Sequence, residues 1–173
     1  MGEITEAAGN CKVRFQLTQF MLDADLKWPP FEAESMWAEW TGPSTARLLN
    51  NPFYVKGVSY LDEVRVKKAE LPPGMSEDEV GPNFVEFDSV VSRSGHGIVR
   101  VILATDEGRE LAEQTMDEIE KLGCSWESTG DSVVSIDLPP GVNQSEILRR
   151  LEDAASQKAI YVDVGYLAQG ESV

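Results

Sequence analysis

NFVEFDSVVSRSGHGIVRVILA, residues 83–104, sets two apolar, strand-forming runs on either side of a polar turn. Phe84, Val85, Phe87, Val90 and Val91 form the first run, and Ile98, Val99, Val101, Ile102 and Leu103 the second. β-Branched and aromatic residues dominate both, as pleated, half-buried surfaces require. Between them Ser92-Arg93-Ser94-Gly95-His96-Gly97 is turn chemistry and holds the single histidine of the chain. One strand therefore closes a first module and the other opens a second. The spacing places a small β-rich module over 11–93 and an α/β module over 97–168.

Downstream of the turn, the run Ile98–Leu103 is dense and apolar, as in a strand covered by helices. Thr105 or Asp106 then caps a helix over 107–122, with Leu111, Ala112, Thr115, Met116, Ile119 and Leu122 on its buried side and Gly123 ending it. Strands follow over 124–128 and 133–138, joined by Thr129-Gly130-Asp131. A second helix begins at Asn143, with Glu146 three residues on in a capping-box pattern, and Ile147, Leu148, Leu151, Ala154 and Ala155 mark its buried face. A last strand spans 160–167. This order of strand, helix, strand, strand, helix, strand is the ferredoxin-like βαββαβ sandwich. Its helix-free face needs a cover, supplied either by the first module or by a partner protein.

Upstream, Val13, Phe15 and Leu17 alternate with polar residues in a half-buried strand. Residues 18–30 read as an irregular loop ending in Trp28-Pro29-Pro30, with Trp28 folded back over the core. A strand over 34–41 turns through Gly42-Pro43-Ser44 into 45–49, and 64–67 and 84–92 are further strands. The proline- and glycine-containing segment 71–82 reads as a solvated loop, and residues 1–10 and the last few residues as frayed ends. Together these strands make a small SH3-like or otherwise partly open β-barrel, so the fold class is α+β.

The chain has 173 residues, with 15 basic and 30 acidic side chains and a net charge of −15. Residues 1–93 carry nine basic and fifteen acidic groups (net −6), and residues 94–173 carry six and fifteen (net −9), so neither half is neutral. Such a field repels nucleic-acid phosphates and anionic lipids and attracts basic surfaces. Cys11 and Cys124 form neither a disulfide framework nor a zinc spacing. No apolar window reaches the length of a membrane span and no signal peptide is visible, which places the expected location in the cytoplasm. No cofactor, metal or nucleotide is expected, because one histidine and scattered carboxylates give no ligand spacing and Gly95-His96-Gly97 lacks a strand-loop-helix context.

Three groups of residues are candidates for function. His96, with Arg93 and Ser94, has the residue types of a hydrolase or transferase site, but its nearest candidate orienting acid in sequence is Asp88 and a structural turn explains the motif as well. Trp28, Trp37, Trp40, Phe53, Tyr54 and Tyr60 concentrate aromatic mass in the first module, as a binding groove or as its core. Glu107, Glu110, Glu113, Asp117, Glu118 and Glu120 line the first helix of the second module, as a solvated face or as a docking surface for a basic partner.

Trp28-Pro29-Pro30, Met36-Trp37-Ala38-Glu39, Asn51-Pro52-Phe53-Tyr54, Asp62-Glu63-Val64 and above all Arg93-Ser94-Gly95-His96 resemble an uncharacterised bacterial family catalogued as a domain of unknown function. The resemblance runs from about Lys12 to Leu167 and implies a bacterial origin and a shared fold. It transfers no catalytic residue, and the acidic segment 75–81 stands out as an insertion. The function expected from these features is non-enzymatic, acidic protein binding, as in an immunity or inhibitor protein that neutralises a basic toxin. A small-molecule-sensing regulatory module is the alternative, and an enzyme using His96 the third possibility.

Overall fold

A computed structural model of the chain describes residues 9–71, 73–80, 83–130 and 132–168, which fall into two compact units. The first comprises the described residues up to Asn50 together with Leu61–Ser94, and the second comprises Asn51–Tyr60 and the described residues from Gly95 onward. The boundary beside Ser94 falls in the expected turn. Residues 51–60, expected in the first module, instead belong to the second unit.

The first unit contains β1 (Asn10–Gln16), β2 (Phe20–Asp23), β3 (Leu26–Trp28), β4 (Ala33–Gly42), β5 (Thr45–Leu48), β6 (Glu63–Lys68), the single-turn helix α1 (Glu77–Val80) and β7 (Phe84–Ser92). Strands β1-β4-β5-β6-β7 form a closed barrel, sealed by parallel pairing of Lys12–Arg14 in β1 with Phe84–Glu86 in β7. Full closure replaces the partly open barrel expected from sequence, because β1 and β7, at opposite ends of the unit, find each other and leave no edge. Val13, Phe15, Met36, Ala38, Ala46, Leu48, Val64 and Val85 fill the interior, and the Phe15 and Phe87 rings stack with centroids 4.8 Å apart.

Two of the expected loops carry regular structure. Asp23 and Asp25 do not merely interrupt the segment after β1; they sit at the reversal of the β2–β3 hairpin, where the Asp23 carboxylate accepts the Ala24 N–H at 2.6 Å. In the 71–82 segment, Ser76 and Glu79 form half of a capping box: the Glu79 carboxylate accepts from the Ser76 N–H at 2.7 Å and from its hydroxyl, which lowers the Glu79 pKa. Residues 1–8, 72, 81, 82, 131 and 169–173 lie outside the described residues, and with them parts of the expected frayed ends, of the 71–82 loop with its 75–81 insertion, and of the Thr129-Gly130-Asp131 turn.

In the second unit β8 (Gly97–Leu103), α2 (Glu107–Glu120), β9 (Ser125–Thr129), β10 (Val133–Leu138), α3 (Gln144–Ala155) and β11 (Ile160–Tyr166) follow in order. The sheet is antiparallel in the order β11-β8-β10-β9. Val99, Val101, Val134, Ile136, Leu138 and Ile160 from the sheet pack against Ala112, Met116 and Ile119 of α2 and Ile147, Leu151 and Ala154 of α3. The Asn143 side chain caps α3 by accepting the Glu146 N–H at 3.1 Å, while the Glu146 carboxylate turns to Arg149 and Arg150 and leaves the capping box half made. At α2 the N-terminal residue Asp106 makes no side-chain cap, and Thr105 Oγ1 accepts the Gly108 N–H instead. The helix ends at Glu120, two residues before the expected Leu122, which is exposed.

Both thiols are free and buried, and burial pushes each up to about 11, with the Asp137 charge adding to the effect at Cys124. At pH 8 roughly one thiol in a thousand would be thiolate, the nucleophilic form. Native protein is therefore expected to react with a disulfide exchange reagent over hours, and urea-unfolded protein within minutes. Reaction of either cysteine in folded protein at the unfolded rate would contradict this burial.

Candidate functional site

β8, β10 and β11 each place a charged or polar residue at the centre of an otherwise apolar run. Arg100 sits in GIVRVIL, Ser135 and Asp137 in VVSIDL, and Asp163 in IYVDVGY. The pleat turns them away from the helices, and register sets Arg100 opposite both Ser135 and Asp163. All four are buried, and Arg100 is 0% exposed.

Residues 51–60 form a strap across this helix-free face. The Arg100 guanidinium donates to the Val55 carbonyl at 2.8 Å and pairs with Asp163 at 2.8 Å. Asp163 also receives the Lys56 ammonium at 2.7 Å, so one buried carboxylate bridges two cations. Ser135 Oγ donates to the Pro52 carbonyl at 2.8 Å, and the Gly57 N–H donates to the Gly165 carbonyl at 3.0 Å. Residues 51–60, expected from sequence in the first module, cover this face as part of the second unit. A buried charge is costly unless paired and hydrogen-bonded; Asp163 pairs Arg100 across the sheet, and the strap adds the Val55 carbonyl and the Lys56 ammonium.

Gly165 makes the arrangement sterically possible. A Cβ there would lie 3.1 Å from Ile98 Cγ2 and 3.2 Å from an Arg100 guanidinium nitrogen, in the irregular register of β11 between Val164 and Tyr166. Gly165→Ala is expected to lower stability by about 1–3 kcal/mol through overpacking against a side chain that ion pairing holds in place. Thermal unfolding checks this, and an unchanged melting temperature would show that Arg100 yields.

The Arg93-Ser94-Gly95-His96 turn divides its residues between the units. In the first, Arg93 Nη1 donates to Asp62 at 2.9 Å and the Ser94 N–H donates to the same carboxylate at 2.8 Å, satisfying an acid that is 0% exposed. In the second, His96 Nδ1 lies 2.7 Å from Asp137 Oδ1, and the Tyr60 ring meets the imidazole edge-on at 5.5 Å between centroids. Burial raises the Asp137 pKa, while the hydrogen bonds and charge of His96 and a hydrogen bond from Ser125 oppose that rise. With Asp137 ionised, Nδ1 is the donor and the ring is held in one orientation, as an acid orients a histidine base. Asp88, the acid nearest in the sequence argument, instead accepts from Ser89.

The aromatic candidates separate. Trp28 is buried in the first unit, and Trp37 is 51% exposed on β4 with the Lys12 ammonium 4.5 Å from its ring centroid. Phe53, Tyr54 and Tyr60 belong to the strap, so the six do not form the single first-module cluster expected from sequence. Glu107, Glu110, Glu113, Asp117, Glu118 and Glu120 are all exposed along α2, and Glu118 pairs with Arg150 of α3 at 3.0 Å. Among the described residues no three His, Cys, Asp or Glu side chains are grouped as a metal site would require, and no helix is long and apolar enough to cross a membrane. Arg100, Ser135, Asp137, Asp163, Lys56 and Asp62 were missed as site residues. For Arg100, Asp137 and Asp163 the available signal was a charged residue within an apolar strand, a position charges occupy only when paired.

A family model described as Domain of unknown function (DUF4265) matches residues 34–161, and the chain belongs to that family. No curated protein matches it. A solved structure titled "Novel crystal structure of a hypothetical protein from Neisseria gonorrhoeae" is similar in fold, with a TM-score of 0.66 at 12% identity over 95% of this chain and 99% of that one.

Proposed function

We propose that this member of the family is a non-enzymatic acidic binding protein of the bacterial cytoplasm, acting as an immunity or inhibitor protein that covers a basic toxin or effector. The observation that carries this reading is the outer face of α2, where Glu107, Glu110, Glu113, Asp117 and Glu120 are all exposed and only Arg109 and Lys121 are basic. Such a face steers a cationic partner and favours it over anionic competitors. By contrast Arg100 and Asp163 are spent inside the unit on each other and on the strap. The order β11-β8-β10-β9 with two helices on one face supports reading the second unit as ferredoxin-like, and the five-strand barrel supports an SH3-like first unit. The test is to present the purified protein with the product of any toxin-like gene neighbouring its own. Tight binding and rescue of growth are expected, and failure of both would sink the proposal.

The His96–Asp137 pair favours a second reading, a hydrolase or transferase in which the imidazole is a base. His96→Gln separates the two, since glutamine keeps a side-chain amide near Asp137 but cannot take up a proton. Neutralisation is expected to survive this substitution, and its loss in a folded variant would favour chemistry.

A further inference from the structure

Beside the acidic face of α2 lies the edge of the sheet. β9 is the last strand in the order β11-β8-β10-β9; it pairs with β10, and no second strand joins it among the described residues. Ser125–Ser128 are exposed, and Trp126 is 38% exposed. An uncovered strand edge of this kind is a template for an incoming strand.

Between β9 and α2 is a cleft of about 130 Å³, whose apolar lining includes Leu103, Ala112, Met116, Trp126 and Val133. A dry cavity of about 150 Å³ holds one benzene, so this cleft has the volume of a single aliphatic or phenyl side chain. Trp126 and Ser128 line it, so this face of β9 looks toward α2. Side chains two apart on an added strand would share that face. Glu113 lines the cleft beside Arg109, and Glu110 and Asp117 are exposed on the same helix, so the residues two positions either side of one entering the cleft would face an α2 surface on which acids outnumber bases.

We propose that the partner docks by adding an extended segment to β9, inserting one apolar side chain into the α2–β9 cleft and setting basic residues two positions before and after it against the carboxylates of α2. This docking mode rests on the basic partner proposed above and names the surface that partner uses. The occupant is a cationic protein segment and not a second copy of this chain, because β9-to-β9 pairing would bring two acidic α2 faces and two Glu127 side chains together in a chain of net charge −15.

The probe is a capped peptide, Thr-Lys-Thr-Leu-Thr-Lys-Thr, titrated into the full-length 15N-labelled protein. Three companions accompany it: one with Glu for Lys, one with Ala for Leu, and one N-methylated at every residue so that neither strand edge can donate. Amide shifts confined to β9 and α2 are expected. Affinity should fall at least tenfold for each companion, and at least tenfold between about 50 and about 500 mM NaCl. Equal binding of the N-methylated peptide, or shifts elsewhere on the protein, would overturn the docking mode while leaving the basic-partner reading standing. Failure of the Lys peptide to bind, with a basic toxin still binding and leaving β9 unshifted, would do the same. If neither the peptide nor any basic protein binds, both fall. A dimer seen by sedimentation whose formation shifts β9 would identify a second copy as the occupant and overturn the proposal.

Discussion

Asp163→Ala is expected to lower the unfolding free energy by about 3–5 kcal/mol, the largest single-residue effect in the second unit. The carboxylate is 5% exposed and contacts two cations, but these differ in what they can do when it is removed. The Lys56 side chain is 50% exposed and can return its ammonium to water. Arg100 is 0% exposed, and the Val55 carbonyl that it also contacts can accept a hydrogen bond but cannot neutralise a charge. Breaking a buried pair strands the surviving ion, and that stranded charge is what makes the loss large. The same argument predicts that Arg100→Met combined with Asp163→Leu recovers most of the loss, since the pair's attraction roughly offsets the cost of taking both ions out of water. Urea unfolding of wild type, single and double variants measures this. A double variant as unstable as the single one would mean that the pair stabilises the sheet outright.

Gly108→Ala is the second large effect, and here two terms of opposite sign compete. Within a helix, exchanging glycine for alanine gains about 1 kcal/mol from backbone entropy. Gly108 lies in the first turn of α2, where an added Cβ would run into the carbonyl oxygen of Ala159, with Ile160 Cγ2 3.2 Å away. The obstacle is backbone, and the same carbonyl accepts the Ala104 N–H at 3.0 Å, which ties it to the end of β8. Relief needs a shift of the whole first turn or of the segment entering β11, so overpacking of about 1–3 kcal/mol or more wins and the net change is destabilising. A rise in melting temperature for Gly108→Ala would show that α2 can move away at little cost.

How much of this was readable from the sequence depends on the range of the interaction. Local patterns carried well: alternation in Val13, Phe15 and Leu17 marked β1, the run Val133–Leu138 marked β10, and Asn143 capped α3 as its spacing demanded. Interactions across long loops did not. His96 and Asp137 are 41 residues apart, and Arg100 and Val55 are 45 apart; no spacing rule links them, so Asp88 stood in for the true partner. The strap was misplaced for a similar reason. Phe53 and Tyr54 follow the barrel strands in sequence and share their aromatic character, yet their backbone neighbours Pro52, Val55 and Gly57 bond to the second sheet. The barrel's closure rests on β1 meeting β7, a parallel contact between strands some seventy residues apart that neither strand's own pattern announces. Buried charges in apolar strands were legible as an anomaly, and reading them as paired requires only that a charge is not buried alone.

Under the proposed function the surface of α2 meets the basic partner, and one titration addresses it most directly. Isothermal titration of any basic toxin-domain protein found encoded beside this gene would compare wild type with a variant carrying Glu110→Gln, Glu113→Gln, Asp117→Asn and Glu120→Gln, and with His96→Gln. The account predicts that neutralising α2 weakens binding at least tenfold and flattens its salt dependence, while His96→Gln binds as wild type. Binding indifferent to the α2 carboxylates but abolished by His96→Gln in a folded protein would contradict it.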